Sequence, residues 1–358
     1  MALLHPSGTD CSIDLHPTPV TVELLTNICQ SVLKRPAVRL DDDFFKIGGS
    51  VRLADLVFAE IAQKLGRELP SATIFHAPTI AALASVLDQA VLPRFSPFVQ
   101  LKAGRQHPPI LIAPGLDGRA SFSGLAQLIR SEHPIYGIQA KGVDGLEYPL
   151  DSIEEMARFY LESLKDLQPE GPHILIGYSF GGLVALEMAQ RLLKQRKQIA
   201  LLVMIDAYPH PRYLSPAQRL QLGAQRAKRR ILELKRRRIG EGLSYLREGI
   251  ERRWHIAGVG TRSQASHLSL EQTTVRVKRK AYMALGRYRP RPHSDKIKFI
   301  KSETDTYFPG DPVPVWAHLA GAFEVETVRG SHLNMVTTHF EGLAAVLTRY
   351  VTEAAGRK

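Results

Sequence analysis

The chain has 358 residues, 44% of them hydrophobic and 23% charged, which is an ordinary soluble composition with length for two domains and a sizeable core. Two cysteines, Cys11 and Cys29, argue against a disulfide framework, and no apolar run approaches the roughly 18 to 20 residues that span a bilayer. The net charge of +12 is local: thirteen Lys or Arg against four Glu between Pro211 and Arg253 supply +9 of it.

The amino terminus has no basic region followed by a long apolar run, so neither signal peptide nor membrane anchor is expected, and with so few cysteines the expected location is cytoplasmic. Residues 1 to 19 read as a disordered lead. From Thr21, the residues Val22, Leu25, Ile28, Cys29, Val32 and Leu33 fall at helical spacing, and Pro36 ends the run. An acidic turn, Leu40-Asp41-Asp42-Asp43, leads into Phe44-Phe45 and Gly48-Gly49. A second amphipathic helix with Leu53, Leu56, Val57 and Ile61 follows, and Ile74, Phe75 and Thr79 to Leu87 complete a helical unit over residues 20 to 91.

The order DDDFFKIGGS, a helix, then ELPSATIFHAPTIAALASVL resembles the carrier domains of nonribosomal peptide and polyketide synthases. In that family a Phe-Phe pair and a Gly-Gly pair precede an Asp or His, then the serine that takes phosphopantetheine. Here Ser50 stands at the Asp or His position and Val51 at the serine position. Ser50 would accept the arm one residue early, a displacement of about 100° around a helix, and could equally be a plain helix N-cap. The resemblance therefore implies a degenerate carrier, with the arm on the substrate's carrier and not on this chain.

Residues 92 to 108 contain Pro93, Pro97 and Pro108 with little periodicity and read as a linker. From residue 109 onward the chain alternates: strand 110 to 113, helix 121 to 130, strand 134 to 138, helix 153 to 167, strand 174 to 176, a helix from 182, strand 199 to 205, strands 296 to 300 and 323 to 328, and a helix from 340 to 351. Such alternation predicts an α/β fold, a mainly parallel sheet covered by helices, with chemistry at the carboxyl ends of its strands.

Three strand ends carry candidate chemistry. Gly177-Tyr178-Ser179-Phe180-Gly181 joins an apolar strand to a helix, the context in which G-x-S-x-G is a nucleophile elbow. An unassisted serine hydroxyl is almost unionised at neutral pH and needs a base; His332, in the loop after the 323 to 328 strand, is placed to supply one. The other histidines read as surface or packing residues. The third member, a carboxylate that orients the imidazole, is Asp206 at the end of its strand, or Asp305 or Asp311 after the following strand. Phe180 N–H is one oxyanion donor, and the turn Pro114-Gly115-Leu116-Asp117-Gly118 offers Gly115 or Leu116 N–H as the other.

Residues 109 to 358 resemble the thioesterase domains that terminate nonribosomal peptide synthetases and some polyketide synthases, members of the α/β-hydrolase superfamily. The carrying sequences are the elbow and Met204-Ile205-Asp206-Ala207, because in that family the acid ends the strand after the elbow helix. The resemblance thus favours Asp206. Relatives often have a Gly-Gly pair in the first turn, where Asp117 intervenes here. It also implies a helical lid over about 210 to 290. The lid's basic run, Lys228 to Arg230 and Lys235 to Arg238, reads as a solvated helix face or as attraction for an acidic carrier; the absence of interleaved aromatics speaks against nucleic acid.

The implied activity is release of an acyl, peptidyl or polyketide chain from a phosphopantetheine thioester through an acyl-serine, by hydrolysis or cyclisation. The implied partner is a carrier protein or synthase module acting in trans. The triad requires neither metal nor cofactor. A general esterase and a non-catalytic scaffold are the alternatives.

Overall fold

The computed structural model describes residues 18–75, 77–89, 95–168, 170–224, 227, 269–304 and 310–356. The chain divides into two compact units, Met1–Arg94 and Phe95–Lys358. In the first, α1 (Pro19–Leu33), α2 (Val51–Leu65) and α3 (Ile80–Leu87) pack around Leu25, Ile28, Val57, Ile61 and Leu83. Each helix starts on a hydroxyl cap, Thr18, Ser50 and Thr79 respectively, which satisfies one of the orphan N–H groups of the first turn. The Asp88 carboxylate, after α3, accepts from the Thr21 hydroxyl at 2.7 Å and so ties the two helix ends together.

The second unit is a seven-stranded sheet in the order β1-β3-β2-β4-β5-β6-β7. Its strands are β1 (Phe98–Lys102), β2 (Ile110–Ala113), β3 (Ile135–Ile138), β4 (His173–Tyr178), β5 (Ile199–Ile205), β6 (His293–Ser302) and β7 (Ala320–Val328). Only the edge pair β1 and β3 runs antiparallel. The strand β1 lies inside the stretch expected to be a linker. Half-exposed on both faces and bulged between Gln100 and Lys102, it lacks the clean alternation that marks a strand in sequence.

Successive residues of the central strands point to opposite faces, and both faces are covered. Ile110, Ile112, Ile174, Ile176, Leu201 and Val203 meet the layer of α4 (Ser123–Leu128) and a carboxyl-terminal helix (Phe340–Ala355). Leu111, Leu175, Leu202 and Phe299 meet α5 (Ile153–Leu167), α6 (Phe180–Lys194) and α7 (Leu270–Arg287). This double burial explains why the central strands read as continuous apolar runs. Each fully buried Leu or Ile contributes about 1.5 to 3 kcal/mol.

Helix α6 carries a carboxylate, Glu187, that is fully buried. Arg191 and Arg291 each approach it to 2.8 Å and the Tyr288 hydroxyl donates at 3.2 Å, so the charge is compensated and the end of α7 is fastened to α6. Of the expected lid, only its carboxyl-terminal helix α7 and the start near residue 210 fall within the described residues. The basic run at 228 to 238 lies outside them, as does most of the expected disordered lead.

Candidate functional site

The last residues of β4 turn sharply into α6, and Ser179 sits between them at φ 54, ψ −120. A non-glycine residue at positive φ is strained, and here the neighbours impose it. A Cβ on Gly177 would lie 2.3 Å from Gly181 O, and one on Gly181 2.4 Å from Ala113 O, so the corner closes only with glycine at both places. The turn is locked to the adjacent strand by Ser179 N–H donating to Ile205 O at 2.7 Å.

Three predicted side chains meet at this edge. The Ser179 hydroxyl lies 3.1 Å from His332 Nε2, and His332 Nδ1 lies 3.2 Å from Asp206 Oδ2. All three residues are buried, at 9%, 9% and 2% exposure for Ser179, His332 and Asp206, so the pairings are little weakened by solvent. Asp206 follows β5 with φ 44, and its N–H donates to Ile300 O on β6. Its second oxygen, Oδ1, accepts from Ser302 N–H at 2.9 Å, which fixes the carboxylate plane. With Nδ1 donating to Asp206, His332 Nε2 is left as the acceptor facing Ser179, the tautomer a general base requires.

His332 is held by the neighbour of the nucleophile. The Tyr178 ring stacks on the imidazole at 4.9 Å between centroids, and its hydroxyl donates to His332 O at 2.8 Å. Burial, with Asp206 and Asp117 nearby, pushes the Tyr178 phenol above its ordinary value and keeps it a neutral donor. Sequence reasoning treated Tyr178 only as the variable residue of the elbow and did not find Ser302. The first contact depends on a stacking partner 154 residues away and the second on a backbone group, neither of which leaves a motif.

Of the competing acids, Asp311 is exposed and accepts from Val313 N–H at the start of a short helix. Asp305 lies outside the described residues. The expected oxyanion groups flank Ser179. Phe180 is the first residue of α6, where an N–H has no partner within the helix. In the turn after β2, Gly118 N–H closes on Gly115 O, and a Cβ on Gly115 would stand 3.9 Å from Ser179 Cβ. Gly115 and Leu116 N–H donate to no backbone carbonyl among the described residues. Such a cluster can move a proton from a hydroxyl to an imidazole while neighbouring amides receive a developing oxyanion.

Beside this turn lies an apolar cleft walled by Leu116, Met156, Phe180, Val184 and Val277. His133, His173 and His293 are buried elsewhere as packing residues. Among the described residues there is no group of His, Cys, Asp or Glu that could hold a metal, and no helix is long and apolar enough to cross a membrane. In the first unit, Ser50 Oγ accepts from Leu53 N–H at 3.3 Å as the cap of α2.

Comparison with known proteins agrees with this architecture. Residues 108–350 match the family described as thioesterase domain, and residues 23–87 the one described as phosphopantetheine attachment site. The chain is 36% identical over 193 residues to a dimodular nonribosomal peptide synthase of Bacillus subtilis (strain 168), covering 52% of this chain and 8% of that protein. It is 39% identical over 166 residues to an indigoidine synthase of Dickeya dadantii (strain 3937), covering 46% and 11%. The chain thus spans a small part of the length of the curated relatives it matches. Among solved structures, the type II thioesterase YbtT of a yersiniabactin pathway overlays with a TM-score of 0.51 at 16% identity, covering 72% of this chain and 99% of that one. A four-domain nonribosomal peptide synthetase overlays with a TM-score of 0.53 at 20% identity, covering 98% and 27%. The chain belongs to the thioesterase domain family, on an α/β-hydrolase fold, and carries a phosphopantetheine-attachment-type domain ahead of it.

Proposed function

We propose that this chain is a serine-dependent thioesterase that releases an acyl, peptidyl or polyketide chain from a phosphopantetheine thioester, with Ser179 as nucleophile, His332 as general base and Asp206 as its orienting acid. The observation that carries the reading is the pair of contacts Ser179 Oγ to His332 Nε2 and His332 Nδ1 to Asp206 Oδ2, at 3.1 and 3.2 Å. As His332 Nε2 takes the hydroxyl proton, Oγ bonds to the thioester carbon. The oxyanion is received by Phe180 N–H and by Gly115 or Leu116 N–H. The C–S bond then breaks, the thiol leaves with the proton held on His332, and an acyl-serine remains. Water, or a hydroxyl or amine within the acyl chain, repeats the attack and gives an acid or a ring.

The residues of the first unit do not fit a resident phosphopantetheine arm. Val51 has no hydroxyl at the expected attachment position, and Ser50 uses its own as the cap of α2. The substrate is therefore taken to arrive on a carrier protein or synthase module in trans. Incubation with coenzyme A and a broad-specificity phosphopantetheinyl transferase should leave the mass unchanged; a gain of one arm, lost in Ser50→Ala, would overturn that part of the reading.

The decisive test of the chemistry is mass spectrometry of acyl-enzyme formed from a panel of acyl-pantetheine thioesters, together with fluorophosphonate labelling. Both adducts should map to Ser179 and vanish in Ser179→Ala. Faster turnover of small oxygen esters than of thioesters would make the protein a general esterase, and no labelling at all would make it a scaffold.

A further inference from the structure

The backbone donors offered to the oxyanion come from different elements. Phe180 N–H opens α6, whereas Gly115 and Leu116 sit in the turn between β2 and α4, so their spacing depends on how that turn is held. At its start the turn abuts the elbow helix: a Cβ on Gly181 would stand 2.4 Å from Pro114 O. Its far end is held by other elements. Gly118 has φ 70, its O accepts from Ala140 N–H at 2.8 Å, and a Cβ there would lie 2.7 Å from Val277 Cγ1 on α7.

Beside this close approach Arg119 crosses to α7, where its guanidinium donates to the Thr274 hydroxyl. That hydroxyl donates to Leu270 O at 2.7 Å, so its lone pairs are what remain for the guanidinium. Burial lowers the Arg119 pKa from its ordinary value and Asp117 restores part of it; a hydrogen bond from a charge so far drawn out of water carries more weight than one on an open surface. Helix α7 is in turn tied to its neighbours. Just past its end the Tyr288 hydroxyl donates to Glu187 on α6 at 3.2 Å, Lys280 stands 2.8 Å from Asp151 ahead of α5, and Arg276 donates to Glu147 O at 2.9 Å. One end of α7 is thus fixed to the helix that carries Phe180, and the other meets the turn that carries Gly115 and Leu116.

We propose that Arg119 is a positioning residue for thioester cleavage: through Thr274 it holds the turn against α7, so that Gly115 or Leu116 N–H faces the oxyanion together with Phe180 N–H. The inference rests on the acyl-serine reading above and adds what sets the spacing of the two donors. Arg119 acts through the turn and not on the substrate. A donor shifted by a fraction of its hydrogen-bond length loses the transition state while ground-state binding stays as it was.

The test uses the full chain and two pantetheine thioethers, S-trifluoroacetonyl and S-acetonyl. Ser179 Oγ adds to the trifluoromethyl ketone, its proton passes to His332 and the carbonyl π electrons become an oxyanion; the methyl ketone stays largely unadded and reads ground-state binding. In Thr274→Val, which removes the acceptor and keeps the shape, the Ki of the trifluoro compound should rise about tenfold, about 1.4 kcal/mol. For an acyl-pantetheine thioester kcat should fall by a similar factor, while KM and the acetonyl Ki stay within about twofold. Thr274→Ser, which keeps the acceptor, should recover the lost affinity. Arg119→Met should match Thr274→Val, and the double variant should be no worse than either, because both break one contact. Hydrogen exchange in the peptide covering residues 114–119 should quicken in both single variants. A ratio of the two Ki values unchanged in both, or losses that multiply in the double variant, would overturn the role of Arg119. Wild-type protein with neither turnover nor labelling at Ser179 would sink the acyl-serine reading; exchange at 114–119 would still judge the clamp, and exchange unchanged by either variant would overturn it.

Discussion

Replacing Asp206 with Asn tests the relay at its most informative point, because the change is nearly isosteric and its consequences for stability and catalysis separate. The carboxylate uses both oxygens, Oδ1 for Ser302 N–H at 2.9 Å and Oδ2 for His332 Nδ1 at 3.2 Å. An amide keeps the first contact only by turning its carbonyl oxygen toward Ser302, which points its NH2 at His332. Nδ1 must then accept, the imidazole proton moves to Nε2, and the nitrogen facing Ser179 can no longer take a proton. The cost is a wrong tautomer, worth about ten-thousand-fold in kcat, or about 5.4 kcal/mol of barrier. Folding should suffer little: Asn tolerates the φ of 44 at this position, and both hydrogen bonds survive with one reversed. The assay is single-turnover acylation by an acyl-pantetheine thioester, run beside thermal unfolding. A Tm close to wild type with acylation slowed by about four orders of magnitude is expected. Acylation within tenfold of wild type would refute the reasoning and pass the role to another carboxylate, Asp305 first.

Further outcomes follow from the surroundings of the relay. Tyr178→Phe keeps the ring stacked on His332 but leaves His332 O without its 2.8 Å donor; about 1 to 3 kcal/mol of stability should be lost in urea titrations, with kcat reduced more than KM is raised. Gly181→Ala, whose Cβ would stand 2.4 Å from Ala113 O, should cost about 3 kcal/mol or more and abolish fluorophosphonate labelling. Burial, with Lys197 nearby, holds the buried His173 down at about 4. Below about pH 6.5 the unfolded chain binds a proton there that the folded chain refuses, so this contribution is intact above pH 6.5 and is lost between 6.5 and 4, about 3 kcal/mol in all. In His173→Phe the difference between urea midpoints at pH 7 and pH 4.5 should therefore shrink; an unchanged difference would show that His173 is not the group responsible.

The proposed site was legible where chemistry and backbone demand the same residues. The corner around Ser179 admits only glycine two positions before and after it, and that steric requirement is itself a sequence pattern. His332 and Asp206 were legible as candidates because each lies just past the carboxyl end of a parallel strand, and those ends share one edge of the sheet. Double burial made β2, β4 and β5 visible as apolar runs. The edge strand β1 was not visible, since partial exposure and a bulge erase its alternation.

By itself, then, the sequence determined the order of the central strands and their helices, the G-x-S-x-G corner, and the valine that stands at position 51 after the Gly-Gly pair, all properties of residues close together along the chain. Tertiary structure decided the rest. It put Asp206 beside His332, brought Ser302 N–H and the Tyr178 hydroxyl to the relay, and buried Glu187 among Arg191, Arg291 and Tyr288. Each of these depends on groups many residues apart, or on backbone donors that any residue supplies, and on the burial that gives a single hydrogen bond its weight.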